Sequence, residues 1–135
     1  MAELIPTATT GGKGLMPKYS FMKSENAKPG DITKLSLKSA SLGINILFTI
    51  VKNHENRGSA IGFLHGYIGG LSAFVMKEGS YLENIKAVYN EDVVDIYFKC
   101  APYTLVLTNT VARYGTFECD IETVTSIPEN AVSLY

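Results

Sequence analysis

The sequence predicts an all-β fold, a jelly-roll-like antiparallel β-sandwich of about eight strands behind an extended N-terminal arm. Three observations carry that expectation. Short runs of β-branched and aromatic residues recur after Pro17, each bounded by Gly, Pro, Asn or Asp turns. Several runs alternate apolar with polar residues, the period of a strand with one buried face. The pattern has no internal repeat, which argues against a solenoid or a propeller. At 135 residues the chain suits one domain, here residues 17–135, with residues 1–16 set apart.

Residues 1–16 have no periodicity and few apolar side chains. The stretch Pro6-Thr7-Ala8-Thr9-Thr10-Gly11-Gly12-Lys13-Gly14 reads as an arm or linker. The first strand signal is Thr33, Leu35 and Leu37 alternating with Lys34, Ser36 and Lys38, behind a Lys28-Pro29-Gly30-Asp31 turn. Ile44 to Val51 is nearly continuous hydrophobe, as expected of a central strand buried on both faces, and the polar run Asn53 to Gly58 ends it.

From Gly58 to Met76 there is no Asp, Glu, Lys or Arg, and Gly62, Gly66 and Gly70 stand at the small-residue spacing of packed membrane helices. Five glycines, two serines and His65 oppose a membrane helix. Ile61, Phe63, His65 and Tyr67 instead alternate with Gly62, Leu64 and Gly66, so strands are expected over 59–67 and 71–77 around a Gly69-Gly70 turn.

Ser80-x-x-Glu83 is a capping-box pattern with Leu82, Ile85 and Tyr89 at helical spacing, which allows a short helix over 81–88. The favoured reading is a strand from about residue 84, paired with Val94 to Cys100 around the Asn90-Glu91-Asp92 turn. Tyr103 to Thr108 makes the next strand. Phe117, Cys119 and Ile121, alternating with Glu118, Asp120 and Glu122, make the last.

Charge and chemistry narrow the function classes. Twelve Lys and Arg against thirteen Asp and Glu leave a net charge of -1, so no nucleic-acid partner is expected. No membrane insertion is expected either. The opening Met1-Ala2-Glu3-Leu4-Ile5-Pro6 lacks a basic region and an apolar core, so the expectation is a product made and kept in the cytoplasm. Cys100 and Cys119 lie with the apolar sets and read as reduced core thiols. A disulfide would need them on neighbouring strands.

His54 and His65 have no partner at ligand spacing, so neither a metal nor another cofactor is expected. Glu118, Asp120 and Glu122 share a strand face at a spacing near that of inverting glycosidases, but the row opposes the apolar face and reads as solvated. The chain is expected not to be an enzyme. Eight tyrosines and no Trp leave a further option, with Tyr97 on the polar side of its strand: stacking on sugars or packing between subunits.

Two segments carry a resemblance. Leu4-Ile5-Pro6-Thr7-Ala8-Thr9-Thr10 followed by Gly14-Leu15-Met16 resembles a sequence common in the shafts of bacteriophage fibre proteins. Asp92 to Cys100, with Ser126-Ile127-Pro128, is similar to the distal β-sandwich domain of fibres from phages of gut bacteria. In those fibres long trimeric repeats separate shaft from tip. Here the two are fused, which favours a short head or tail fibre or spike.

The resemblance implies a homotrimer, part of a virion assembled in the host bacterial cytoplasm. Leu4, Ile5, Pro6, Thr7, Leu15 and Met16 would anchor it to a phage capsid or tail protein. Candidate contacts to the host surface, including its glycans, follow from turn composition: Asn53, His54, Glu55, Asn56 and Arg57; Glu91 and Asp92; Arg113 and Tyr114. The alternatives are a capsid-decorating protein with no receptor role and a stand-alone carbohydrate-binding module.

Overall fold

The computed structural model describes residues 19–39, 43–52, 59–78, 81–112 and 117–135. The anchor candidates, residues 53–57 and residues 113–114 lie outside them. The described chain is all-β: β1 (Tyr19–Asn26), β2 (Ile32–Ser39), β3 (Ile44–Lys52), β4 (Ser59–Tyr67), β5 (Gly70–Glu78), β6 (Leu82–Asn90), β7 (Val93–Cys100), β8 (Thr104–Ala112), β9 (Phe117–Val124) and β10 (Val132–Ser133). They form two antiparallel five-stranded sheets, β1-β8-β3-β4-β5 (sheet A) and β10-β6-β7-β2-β9 (sheet B). The chain crosses between sheets at β1–β2, β2–β3, β5–β6, β7–β8 and β8–β9, which makes the sandwich jelly-roll-like.

Inward side chains of the two sheets make one core. Ile46, Phe48 and Ile50 of β3 meet Leu35 and Leu37 of β2 and Ile96 and Phe98 of β7. Phe48 and Phe98 touch edge to face across the sandwich, centroids 5.2 Å apart. Phe48 also explains Gly62: a Cβ there would lie 2.9 Å from the Phe48 ring and collide with the Phe74 carbonyl. The run that could imitate a membrane helix is therefore a β4–β5 hairpin in which glycine makes room for a large core ring. Among the described residues no helix is long and apolar enough to cross a membrane.

The possible helix over 81–88 is strand β6. A register shift between Leu82 and Asn84 turns both Leu82 and Ile85 inward, so a β-bulge imitates helical spacing. Two strands carry no clear signal. In β1 the larger side chain of Phe21 points outward, while Asn26 and the half-buried Ser24 take inward positions. β10 is two residues long. Tyr103, expected to begin a strand, instead precedes β8 in a left-handed conformation (φ 64).

β3 is central but not buried on both faces. Ile44, Ile46, Phe48 and Ile50 are buried, whereas Leu47 and Val51 are exposed. The reason is architectural: among the described residues no element lies over the outer face of sheet A.

Sheet B is partly covered. β9 and β10 stand at its opposite edges, so residues 125–131 must cross its outer face. Four strand spacings are about 19 Å, and seven extended residues reach about 23 Å. Ile127 and Ala131 of this strap, with Val124, pack on Ile32, Val88 and Tyr97 to make a second small core. Tyr97 does stand on the polar side of its strand, beside Lys34, but the strap leaves it only 5% exposed, so it is a buried ring and not one open for stacking. Burial pushes its phenol pKa up; Lys34 opposes the rise, and Asp95 and Glu122 add to it.

Cys100 is buried and Cys119 half-buried, and both are free thiols. β2 separates their strands, and Cys119 stands beside Leu37, whose other neighbour is Val94. Six residues of β7, roughly 20 Å, separate Val94 from Cys100. A disulfide is therefore out of reach.

Candidate functional site

The sandwich has two distinct ends. Tyr19 of β1 pairs with Val111, in line with Asn45, His65 and Ser72, so the chain enters at the end that holds the Ile68-Gly69 and Glu91-Asp92 turns. The strand ends flanking residues 113–116 lie there too. The far end carries the 27–31 turn, the 101–103 turn and the strand ends that flank residues 53–58. The contact candidates thus divide: Glu91 and Asp92, both exposed, and the flanks of 113–114 belong to the arm end. Only the flanks of 53–57 belong to the far end.

The far end is rigidly built. Pro29 and Gly30 (φ 94) make a type II turn closed by the Asp31 N–H donating to the Lys28 carbonyl at 3.2 Å. The Asp31 carboxylate accepts the N–H groups of Ala27 and Lys28 at 2.9 and 3.1 Å. Beneath it the buried Asn26 side chain donates to Thr104 Oγ1 and accepts from Thr33 Oγ1, and Thr104 donates to the Ala101 carbonyl. This network ties β1, β2 and β8 together with its buried polar groups satisfied. Above it stands Tyr103, its N–H bonded to the Asn26 carbonyl and its side chain half exposed. Among the described residues two non-glycine residues hold a positive φ, Tyr103 here (φ 64) and Glu91 (φ 44) in the β6–β7 turn of the arm end, each at a cost on the order of 1–2 kcal/mol, and of the two only Tyr103 presents an aromatic ring. Sequence reading missed Tyr103 because its positive φ leaves no mark in the residue pattern.

The two outer faces differ in chemistry. On sheet B, rows of facing residues run Glu118–Lys38–Val93, Asp120–Ser36–Asp95 and Glu122–Lys34–Tyr97. Ser36 donates to Asp95 at 2.7 Å, and Lys34 lies 3.8 Å from Glu122 and 6.0 Å from the centre of the Tyr97 ring. Glu118, Asp120 and Glu122 are all exposed, as expected of a solvated row. Among the described residues no three His, Cys, Asp or Glu side chains group as metal ligands would.

On sheet A the rows run Phe21–Asn109–Leu47–Phe63–Phe74 and Lys23–Leu107–Thr49–Ile61–Met76. The Phe63 ring lies 5.4 Å from both Phe74 and His65. Phe21 is 67%, Met76 60% and Phe74 51% exposed. Of the eleven exposed large hydrophobics among the described residues, eight belong to this face: Phe21, Leu47, Val51, Ile61, Tyr67, Phe74, Met76 and Val111. Half-exposed side chains of this size add up to on the order of 700 Å², above the few hundred expected of a monomer's largest apolar patch.

No family model matches the chain, and no curated protein does. Among solved structures it is similar to WceF of Pantoea stewartii, described as a glycan biofilm modifying enzyme with a bacteriophage tailspike-like parallel beta-helix fold, at 12% identity and a TM-score of 0.60. The likeness covers 83% of this chain and 21% of that one, so the chain spans about a fifth of that protein's length. Both sheets of this chain are antiparallel, so the chain is not itself a parallel β-helix.

Proposed function

We propose that the protein is a structural component of a phage virion, a short fibre or spike of the head or tail that assembles as a homotrimer, is tethered by residues 1–16 and touches the host surface with its far end. It binds without turnover. The observation that carries this reading is polarity: the chain enters the sandwich at one end, and the exposed, conformationally strained Tyr103 stands at the other. A tether leaving the arm end directs the far end outward. Contact then concentrates on Tyr103 and the end that flanks residues 53–57, while Glu91 and Asp92 turn toward the particle.

Support also comes from the likeness to a tailspike-like protein described as modifying a biofilm glycan, which favours a surface glycan as the ligand. Exposed tyrosine suits sugar, offering a flat apolar ring with a hydroxyl. Three copies would multiply a weak contact through avidity. Deleting residues 1–16 tests the tether: the expected product keeps its β-rich circular dichroism but is lost from purified particles. Incorporation at the normal level contradicts the reading.

A further inference from the structure

We infer that the outer face of sheet A is the surface on which copies of this chain meet, a deepening of the oligomeric fibre reading above. The face has the size for it. Its exposed apolar area of on the order of 700 Å² is on the scale of the ~800 Å² that one copy contributes to one stable interface, and in a trimer this area, with the polar positions between, is divided between two neighbours. Its composition fits too: Leu47, Leu107, Ile61 and Phe63 stand on the inner strands, Phe21, Phe74 and Met76 flank them on the edge strands, and Lys23 and Glu25 lie on edge strand β1, charge thus standing at the rim of an apolar face.

Residues 1–16 are a poor alternative cover. Their large apolar side chains, Leu4, Ile5, Leu15 and Met16 beside Met1, are too few for a face built from eight exposed hydrophobics. A second copy brings the same eight. The chain's net charge of -1 sets no strong repulsion between copies. When sheet A turns toward an axis parallel to its strands, the arm ends gather at one end of the assembly and the charged face of sheet B stays in water.

The test is the mass of the full chain in solution for wild type, Leu47→Asp, Phe74→Asp and the control Asp120→Lys on sheet B. The expected result is a wild-type trimer, a control trimer, and sheet A variants that are folded monomers by circular dichroism, with a loss of association of at least tenfold. A wild-type dimer that the sheet A variants dissociate supports the face and overturns the trimeric fibre. A trimer that survives both sheet A substitutions overturns the face and leaves the fibre standing. A wild-type monomer, free or held on phosphatidylcholine vesicles, overturns both.

Where a sheet A variant fails to fold, peroxide oxidation of wild type decides. Met76 is expected to oxidise at least fivefold more slowly in the native protein than in the urea-unfolded chain, although it is well exposed on a single copy. Equal rates overturn the inference.

Discussion

The two outer faces of the sandwich lie over the same core and are finished in opposite ways. Sheet B is closed from within the chain: the 125–131 strap seals Ile32, Val88 and Tyr97, and the remaining outward positions are Lys, Ser, Asn, Asp and Glu with Val93 among them. Sheet A has no such cover among the described residues and turns Phe21, Leu47, Ile61, Phe74 and Met76 outward. The lesson is that strand alternation can be completed within the chain on one face and left open on the other. An aromatic under the strap is a core residue, and an aromatic on the open sheet is an exposed one, the contact proposed above.

The core beneath both faces sets the largest effect. Phe98→Ala, which empties one side of the Phe48–Phe98 contact, is expected to cost ~3–5 kcal/mol in urea unfolding. A loss under ~1 kcal/mol would mean that the sheets are not packed face to face. The two tyrosines then sharpen the contrast. Tyr97→Ala, beneath the strap, is expected to cost ~2–4 kcal/mol, whereas Tyr67→Ala, exposed at the arm end of sheet A, should change the isolated subunit by less than ~1 kcal/mol. Equal costs would erase the distinction between a closed and an open face.

Alkaline pH probes the closed interior. Burial pushes the Cys100 thiol up to about 12, helped by Glu83 and opposed by its hydrogen bond with Thr104. Burial likewise raises Cys119, against a hydrogen bond with Thr110. Between the ordinary thiol pKa and the raised one, the folded chain keeps a proton that the unfolded chain has released, so stability falls as pH rises. For Cys100 the slope approaches ~1.4 kcal/mol per pH unit above about pH 9. Cys100→Ala should flatten the profile; an unchanged slope would show that the thiol does not stay protonated in the fold.

The smallest effect belongs to the wet row. Replacing Glu118, Asp120 and Glu122 together by their amides should shift stability by less than ~1 kcal/mol, because the Lys34–Glu122 pair is a surface ion pair. Any larger loss would make sheet B more than a solvated face.

Most of the architecture is legible in the residues, and its failures have physical causes. Strict alternation in β2, β7 and β9 marks the inward set, Cys100 and Cys119 included. β3 misleads because a continuous apolar run reads the same whether its second face meets another layer of this chain or another copy. Tyr97 misleads because the strap that buries it comes from 125–131, whose position over sheet B follows only from the strand order. β6 imitates a helix through one bulge. Of the candidate site, the turn at Glu91 and Asp92 could be read from its composition. The division of the contact candidates between two ends could not, since it depends on the strand order and register, and Tyr103 is marked only by its backbone conformation.

Hydroxyl-radical labelling of both faces in one sample of the full chain tests the central claim most directly. Phe21, Phe74 and Met76 on sheet A should be labelled several-fold less in wild type than in Leu47→Asp, while Lys38 and Asp120 on sheet B are labelled alike in both. Equal labelling of the sheet A residues in the two proteins would contradict the account.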